Sequence, residues 1–455
     1  MTQQQERDIA VDFWKVFSSD AGKAFAQEII KLILEHEAPN RKRNRKQTAF
    51  ENYKKLAHAL SANLVYLHEL QRETLQTRRG LYVSRSKRVL AKKRPKHTSA
   101  PDFVNKQVIP LLDTMAATDL IHQIIPVTHG RIQNPFRKTR QYGDSTIIHP
   151  TGRFLKFMSE HGVKGLEHVR RDAQGEEIVL LKSKRADGDL SETSAEVDYP
   201  DNETADHYRT ILRQIQQRLD VAPIRIINGG WPSAKTGLLI DVRMRRLRRV
   251  FTRERWDSCG RYYGAWWIPL SKAERLSRIL MEGRYVAELD FSSMMVRLAY
   301  GLAKAQPRDG DQYAVPGFAK SRDCIKVLMS ALLFDQPGYN RKKLPPDALE
   351  GLHKDEVRPA TEIIQALKEY HKPLLPLCGA GVGHDLFFQE SQIMTMILLR
   401  LNTLGITGLP VHDAIYVPTH RVQETKAIME QVFREEVGME GVVRVTMPNP
   451  TQVAA

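Results

Sequence analysis

Two aspartates and a lysine carry the chemistry that this sequence can support. Asp290 stands where a β-prone run containing Val286 and Leu289 gives way to a helical one, with Met294, Leu298 and Leu302 recurring at helical spacing. Asp413 stands between two short β-prone runs, Leu409-Pro-Val-His412 and Ala414-Ile-Tyr-Val417, a pattern that predicts a tight hairpin presenting one carboxylate. Taken alone, neither is distinctive. Asp290 reads equally as a helix cap beside Ser292 and Ser293, and His412-Asp413 as a structural pair. Together they are the two carboxylates that two-metal phosphoryl transfer requires, since divalent cations about 4 Å apart need acidic ligands on rigid elements. Between them runs Ser321 to Phe334, where Arg322, Lys326, Ser330 and Phe334 fall along one face of a predicted helix. A face that is cationic, then small, then aromatic suits a triphosphate at one end and a base pair at the other. An amphipathic helix with a surface Arg and Lys is the plainer reading of that stretch by itself.

The elements that must position these residues are legible in outline. A helix is expected from Glu203 to Leu219, with Tyr208, Ile211, Leu212 and Ile215 on its apolar face. Next comes the basic cluster Arg243-Met-Arg-Arg-Leu-Arg-Arg249, just ahead of the aromatic, glycine-rich run Trp256 to Trp267. Cations interleaved with aromatics suit a surface that touches sugar-phosphate and stacks on bases, which makes Arg243, Arg245 and Arg246 nucleic-acid candidates. Toward the N-terminus the pattern is helical from Glu6 to Gln76, broken at Ala38-Pro-Asn40 and followed by five cations in the six residues Arg41 to Lys46. From residue 101 the order is helix, basic turn, short strand, helix, that of a winged helix-turn-helix. Its wing would carry Arg131, Arg137, Lys138 and Arg140 to a DNA backbone. Arg185 to Asp198, short of apolar side chains and rich in Asp, Glu, Ser and Gly, reads as a linker or exposed loop, and the linker is drawn at 171–202. The expected divisions are therefore a basic helical region (1–100), a winged-helix-like module (101–170), the linker, and a core from 203 to 455.

Composition narrows the partner. In 455 residues, 69 lysines and arginines against 53 acidic residues leave a formal charge of +16, which points to a polyanion, most often nucleic acid. No stretch approaches the ~18 apolar residues of a membrane span, and the first residues carry no export pattern. Cys259, Cys324 and Cys378 are odd in number and far apart, which fits a reducing cytoplasm rather than a disulfide framework.

In order and internal spacing, the three chemical stretches resemble motifs A, B and C of the family A DNA polymerases and the related single-subunit RNA polymerases. Asp290-Phe-Ser-Ser-Met-Met-Val-Arg297 resembles Asp-Tyr-Ser-x-x-Glu-x-Arg; Arg322, Lys326 and Phe334 keep the spacing of motif B; His412-Asp413 keeps two thirds of His-Asp-Glu, with Ala414 in the third place. Cys259-Gly-Arg-Tyr262 is similar to the family's Thr-Gly-Arg-Leu, and Phe388-Gln-Glu-Ser-Gln-Ile-Met394 to its glutamine-bearing helix. The resemblance covers residues 243–440. It implies an α+β fold: a right-hand core whose palm is an antiparallel sheet with helical fingers and thumb, behind the helical, winged-helix-like N-terminal region. It implies Asp290 and Asp413 as ligands of two Mg²⁺ ions, with Mn²⁺ able to substitute and the Phe291 backbone carbonyl as a further donor. Lys326 and Arg322 would meet the triphosphate, Met295, Ser330 and Phe334 the nucleotide's sugar and base, and Arg261, Arg297, Gln389 and His412 the primer and template. The implied partners are a DNA primer-template or single-stranded template and nucleoside triphosphates, acted on by a monomer of the kind found in phages and mobile elements. Met295 replaces the motif A glutamate and Phe334 a tyrosine, both tilting the expectation toward deoxynucleotides. No Asp-x-Glu exonuclease pattern precedes residue 243, so proofreading is not expected. A primase or small RNA polymerase, and a DNA-binding initiator with an inactive core, are the alternatives.

Overall fold

The structure is a computed structural model, described here for residues 8–41, 43–74, 79–87, 90, 96–125, 146–172, 174–184, 194–227 and 240–448. Two short strands, β1 (Ile9–Ala10) and β2 (Lys15–Phe17), lead into helix α1 (Asp20–Glu37). The Ser19 hydroxyl opens α1 by accepting the Gly22 N–H at 3.0 Å, satisfying one of the unpaired first-turn donors. Phe25, Ile29 and Ile33, four residues apart, form its fully buried stripe. That stripe packs on α2 (Gln47–Thr74), which buries Leu56, Leu60, Leu64 and Leu67. The basic run between the two helices is partly drawn inward. Arg41 pairs with Glu37 at 3.0 Å and Arg45 with the same carboxylate at 2.8 Å.

The N-terminal region is less uniformly helical than expected. Strands β3 (Leu81–Val83), β4 (Ile121–Ile124) and β5 (Thr146–Pro150) join β1 in a four-stranded sheet of order β1-β3-β5-β4. Helix α3 (Val108–Ala117) precedes β4, and α4 (Gly152–Glu160) follows β5. Among the described residues the order through this region is helix, strand, strand, helix, and β1 and β3, from the first hundred residues, complete the sheet. One core, from Phe17 to Val169, crosses the boundary drawn at residue 100. Strand β6 (Val169–Arg171) pairs with β2. The wing, with Arg131, Arg137, Lys138 and Arg140, lies outside the described residues.

The stretch read as a linker is also built into the fold. Strand β7 (Val179–Leu181) is buried and pairs in parallel with β9 (Arg248–Phe251), which pairs in turn with β10 (Cys259–Tyr263). Among the described residues of that stretch, Ile178, Val179, Leu180, Leu181 and Tyr199 are buried. Helix α5 (Glu203–Val221) runs close to the predicted span and buries Tyr208, Leu212, Ile215 and Leu219.

The second core, from Ile178 to Val443, surrounds a larger antiparallel sheet. Its strands are β8 (Ile224–Ile226), β11 (Ile279–Met281), β12 (Arg284–Phe291), β13 (Leu409–Val411), β14 (Ala414–Pro418) and β15 (Val443–Thr446), β11 following helix α6 (Lys272–Arg278). The order is β13-β14-β12-β11-β8, with β15 also paired to β12. Val286, Ala287, Leu289 and Phe291 are all buried, as a central strand covered on both faces requires. Around it pack α7 (Met294–Leu302), α8 (Arg322–Phe334), α9 (Pro346–Glu350), α10 (Ala360–Tyr370), α11 (Gly383–Thr403) and α12 (Val422–Val437). Among the described residues no helix is long and apolar enough to cross a membrane.

Candidate active site

Asp290 lies near the end of β12, flanked by a partner on each side: Ala414 of β14 and Arg444 of β15. The chain then turns through Ser292 and Ser293 into α7. Ser293 is the N-cap, in the left-handed region at φ 53°, and no side chain caps the helix. Asp290 is therefore not a capping residue. The turn is secured instead by Arg297, which is buried and donates through Nε to the Ser292 carbonyl at 3.1 Å.

Asp413 sits in a two-residue turn between β13 and β14, whose register closes at Val411 and Ala414. His412 takes the left-handed conformation at φ 57°, which histidine tolerates better than most residues and which replaces the glycine such a turn commonly uses. Strand pairing of β12 with β14 brings this turn beside Asp290, and the Phe291 N–H approaches the Asp413 carbonyl at 3.5 Å. The two carboxylates meet because two strands of one sheet end together.

They line one cleft of about 380 Å³. Its α8 wall presents Arg322, Lys326 and Ser330; Met295 comes from the first turn of α7, Tyr313 from the loop ahead of α8, and His412 and Arg444 from the sheet. Opposite stands a layered wall of Arg261, Phe387 and Glu390. The Arg261 guanidinium donates to both Glu390 oxygens, at 2.7 and 2.6 Å, and lies 3.5 Å from the centre of the Phe387 ring.

The electrostatics are unfavourable by design of the backbone. Burial, then Asp413, then Glu288 push the Asp290 carboxyl up to about 7, and burial raises Asp413 in the same direction. Burial also pushes Glu390 up to about 7 while Arg261 pulls it down. Glu288, two residues before Asp290 on the same face of β12, is in contrast satisfied by Lys272 and by the Tyr416 hydroxyl. Among the described residues no group of three or more His, Cys, Asp or Glu is arranged to hold a metal ion. Two mutually repelling carboxylates on one open cleft fit Mg²⁺, which keeps much of its water and binds through one or two carboxylates plus substrate phosphates. They do not make a closed structural zinc site.

Not every expected residue reaches this cleft. Phe334 turns from it and packs on His384 and Phe387, with ring centres 4.9 and 5.0 Å away. Gln389 is absent from the lining, because Phe387 and Glu390, three apart on α11, share the facing side and Gln389 falls off it. Arg297 serves the turn just described. The basic cluster is engaged within the protein: Arg243 with Asp241 at 2.9 Å, Arg246 with Glu176 at 3.4 Å, and Arg245 with the carbonyls of Leu219, Ala222 and Ile224. The cleft also holds groups the sequence reading passed over, namely Glu390, Phe387, Tyr313 and Arg444. The first two were signalled by their spacing, the last two by nothing local.

No family model and no curated protein matches the sequence. Among solved structures, the chain is similar to the POL domain of Pol1 from M. smegmatis in complex with DNA primer-template and dNTP. The similarity spans 93% of this chain and 72% of that one, at 11% identity and a TM-score of 0.31. So distant a likeness leaves the site to be argued from its own residues.

Proposed function

We propose that the chain is a template-directed nucleotidyltransferase that extends DNA with deoxynucleotides and lacks proofreading. The observation that carries this reading is that Asp290, Asp413 and Lys326, remote in sequence, line a single cleft. In this reading the β8–β15 sheet is the palm, α8 belongs to the fingers, and the basic N-terminal region holds duplex. Asp290 and Asp413, with the Phe291 carbonyl, would hold Mg²⁺, which when bound activates the attacking 3′-hydroxyl and neutralises the leaving pyrophosphate. Lys326 is exposed on the cleft, and no ion pair to it occurs among the described residues, so its ammonium is available to the triphosphate and to protonate the departing pyrophosphate. Arg322 and Arg444 extend that cationic wall. Met295 borders the metal-side carboxylates, where a bulky apolar side chain disfavours a ribose 2′-hydroxyl. Arg261, held flat between Glu390 and Phe387, offers a rigid edge to the primer end.

Primer extension with Asp413→Ala is the test. Mg²⁺-dependent extension is expected to vanish while DNA retention in a gel-shift assay persists. Extension at the wild-type rate would refute the assignment.

A further inference from the structure

Arg322, which the proposed reading sets against the outer phosphates, already holds an anion. Its Nη2 donates to Asp311 Oδ1 at 3.2 Å, and its Nε pairs with Asp311 Oδ2. Both side chains remain partly accessible, 36% for Arg322 and 25% for Asp311, so the pair is exchangeable rather than sealed. Although burial alone would raise the Asp311 carboxyl, Arg322 holds it below its ordinary range, and Arg444 adds to the effect.

The carboxylate is held in place rather than carried on a loose loop. Asp311 Oδ1 also accepts the Tyr313 N–H at 3.1 Å, and the Tyr313 ring lies 5.2 Å from the Arg322 guanidinium. Gln312, between them, points into the protein and is fully buried. Its amide donates to the Arg308 and Gly310 carbonyls at 2.6 and 3.1 Å. Its own carbonyl lies 2.9 Å from Nε2 of buried His371, whose Nδ1 meets the Tyr300 hydroxyl at 3.0 Å. Asp311 is thus presented to the cleft cations from a fixed tripeptide.

We propose that Asp311 is a specificity-determining residue for the phosphate chain of the nucleotide: it occupies the donor face of Arg322 and yields to a triphosphate but poorly to shorter chains. The assignment rests on the reading of the cleft as a nucleoside triphosphate site. A monophosphate displacing Asp311 exchanges one bidentate partner of Arg322 for another, with little net gain. A triphosphate brings more charge and enough oxygens to engage Arg322, Lys326 and Arg444 together, so it alone gains by the exchange.

The test is binding of dATP, dADP and dAMP to the full chain by equilibrium dialysis, comparing wild type with Asp311→Asn and Asp311→Glu. Asparagine keeps an acceptor for the Tyr313 N–H but loses the charge; glutamate keeps the charge. Asp311→Asn is expected to tighten dADP and dAMP binding by roughly fivefold, the scale of one partly exposed ion pair, and dATP less, so that discrimination narrows. Asp311→Glu is expected to retain it. Unchanged ratios, or equal weakening of all three nucleotides, with dATP still bound by wild type, would overturn the role of Asp311 alone. No binding of any of the three by wild type or either variant would overturn the triphosphate-site reading and the Asp311 assignment with it.

Discussion

The repulsion stored between Asp290 and Asp413 has a measurable consequence for the metal-free protein. The Asp290 carboxyl, ordinarily at 3.8, stands at about 7, for which burial is the first cause and Asp413 the second. Below the ordinary value both folded and unfolded chains keep the proton and the site contributes nothing. Between about 4 and 7 the unfolded chain releases the proton and the folded one retains it, so the native state binds more protons and stability falls as pH rises. Above about 7 the loss is complete, about 4 kcal/mol at roughly 1.4 kcal/mol per pH unit. Sharing of the proton with Asp413 and partial solvent access reduce this to about 2 kcal/mol. Asp290→Asn is neutral at every pH and also relieves Asp413. Urea unfolding of both proteins in EDTA, from about pH 4 to 8, is expected to show the variant gaining about 2 kcal/mol on wild type across that range. Millimolar Mg²⁺ at the upper end is expected to restore wild type and leave the variant unchanged. A difference between the two proteins that stays flat with pH would refute the argument.

Three further perturbations test the walls of the cleft. Glu390→Ala leaves the Arg261 guanidinium without its buried partner and is expected to cost about 3 kcal/mol in urea unfolding, with Glu390→Gln costing less because the amide still accepts a hydrogen bond. Gly260 has φ 73°, and a Cβ there would lie 2.8 Å from the Ser391 hydroxyl and 3.0 Å from the Phe251 ring. Gly260→Ala should therefore destabilise by about 1–3 kcal/mol, read as a lowered melting temperature. Met295→Ala is expected to raise ribonucleotide use relative to deoxynucleotide use by roughly tenfold in competitive primer extension, and an unchanged ratio would remove Met295 as the sugar gate.

The cleft was legible where its residues are set by local spacing. Asp290 at a strand end, Asp413 in a hairpin, and Lys326 with Arg322 on one helix face all follow from patterns of a few residues, and the sheet then brings them together. Legibility failed where the answer depends on tertiary partners. The cations of Arg243 to Arg249 look like a nucleic-acid surface, yet Arg246 and Arg248 converge on Glu176 and Arg249 is fully buried, with Gly260 and Ser391 as partners. Nothing near them in sequence announces those acceptors. Phe334 kept its motif spacing but not its orientation, because a Cβ-free Gly383 lets its ring pack against α11. Of the N-terminal sheet only the strand at Thr146–Pro150 is expected from the sequence; the others, of two to four residues, are too short for a period-two pattern to stand out.

The treatment of two neighbouring carboxylates is the strongest argument that the cleft is a functional one. Glu288 and Asp290 lie on the same face of one buried strand, so the fold faces the same desolvation problem twice. Glu288 is given a lysine and a tyrosine hydroxyl. Asp290, one step along, is given a second carboxylate, and no cation lies within ion-pair distance of either aspartate among the described residues; Lys272 and Lys326 act on Asp290 only from further off. Selection for stability alone would pair Asp290 as it pairs Glu288, since either solution needs only one nearby cation. The hydrogen-bonded strands β12, β14 and β15, buried through Leu289, Ile415 and Val443, instead hold the aspartates against their repulsion. A rigid sheet that sustains so unfavourable a pair beside Arg322, Lys326 and Arg444 is in keeping with the proposed divalent-ion and triphosphate site.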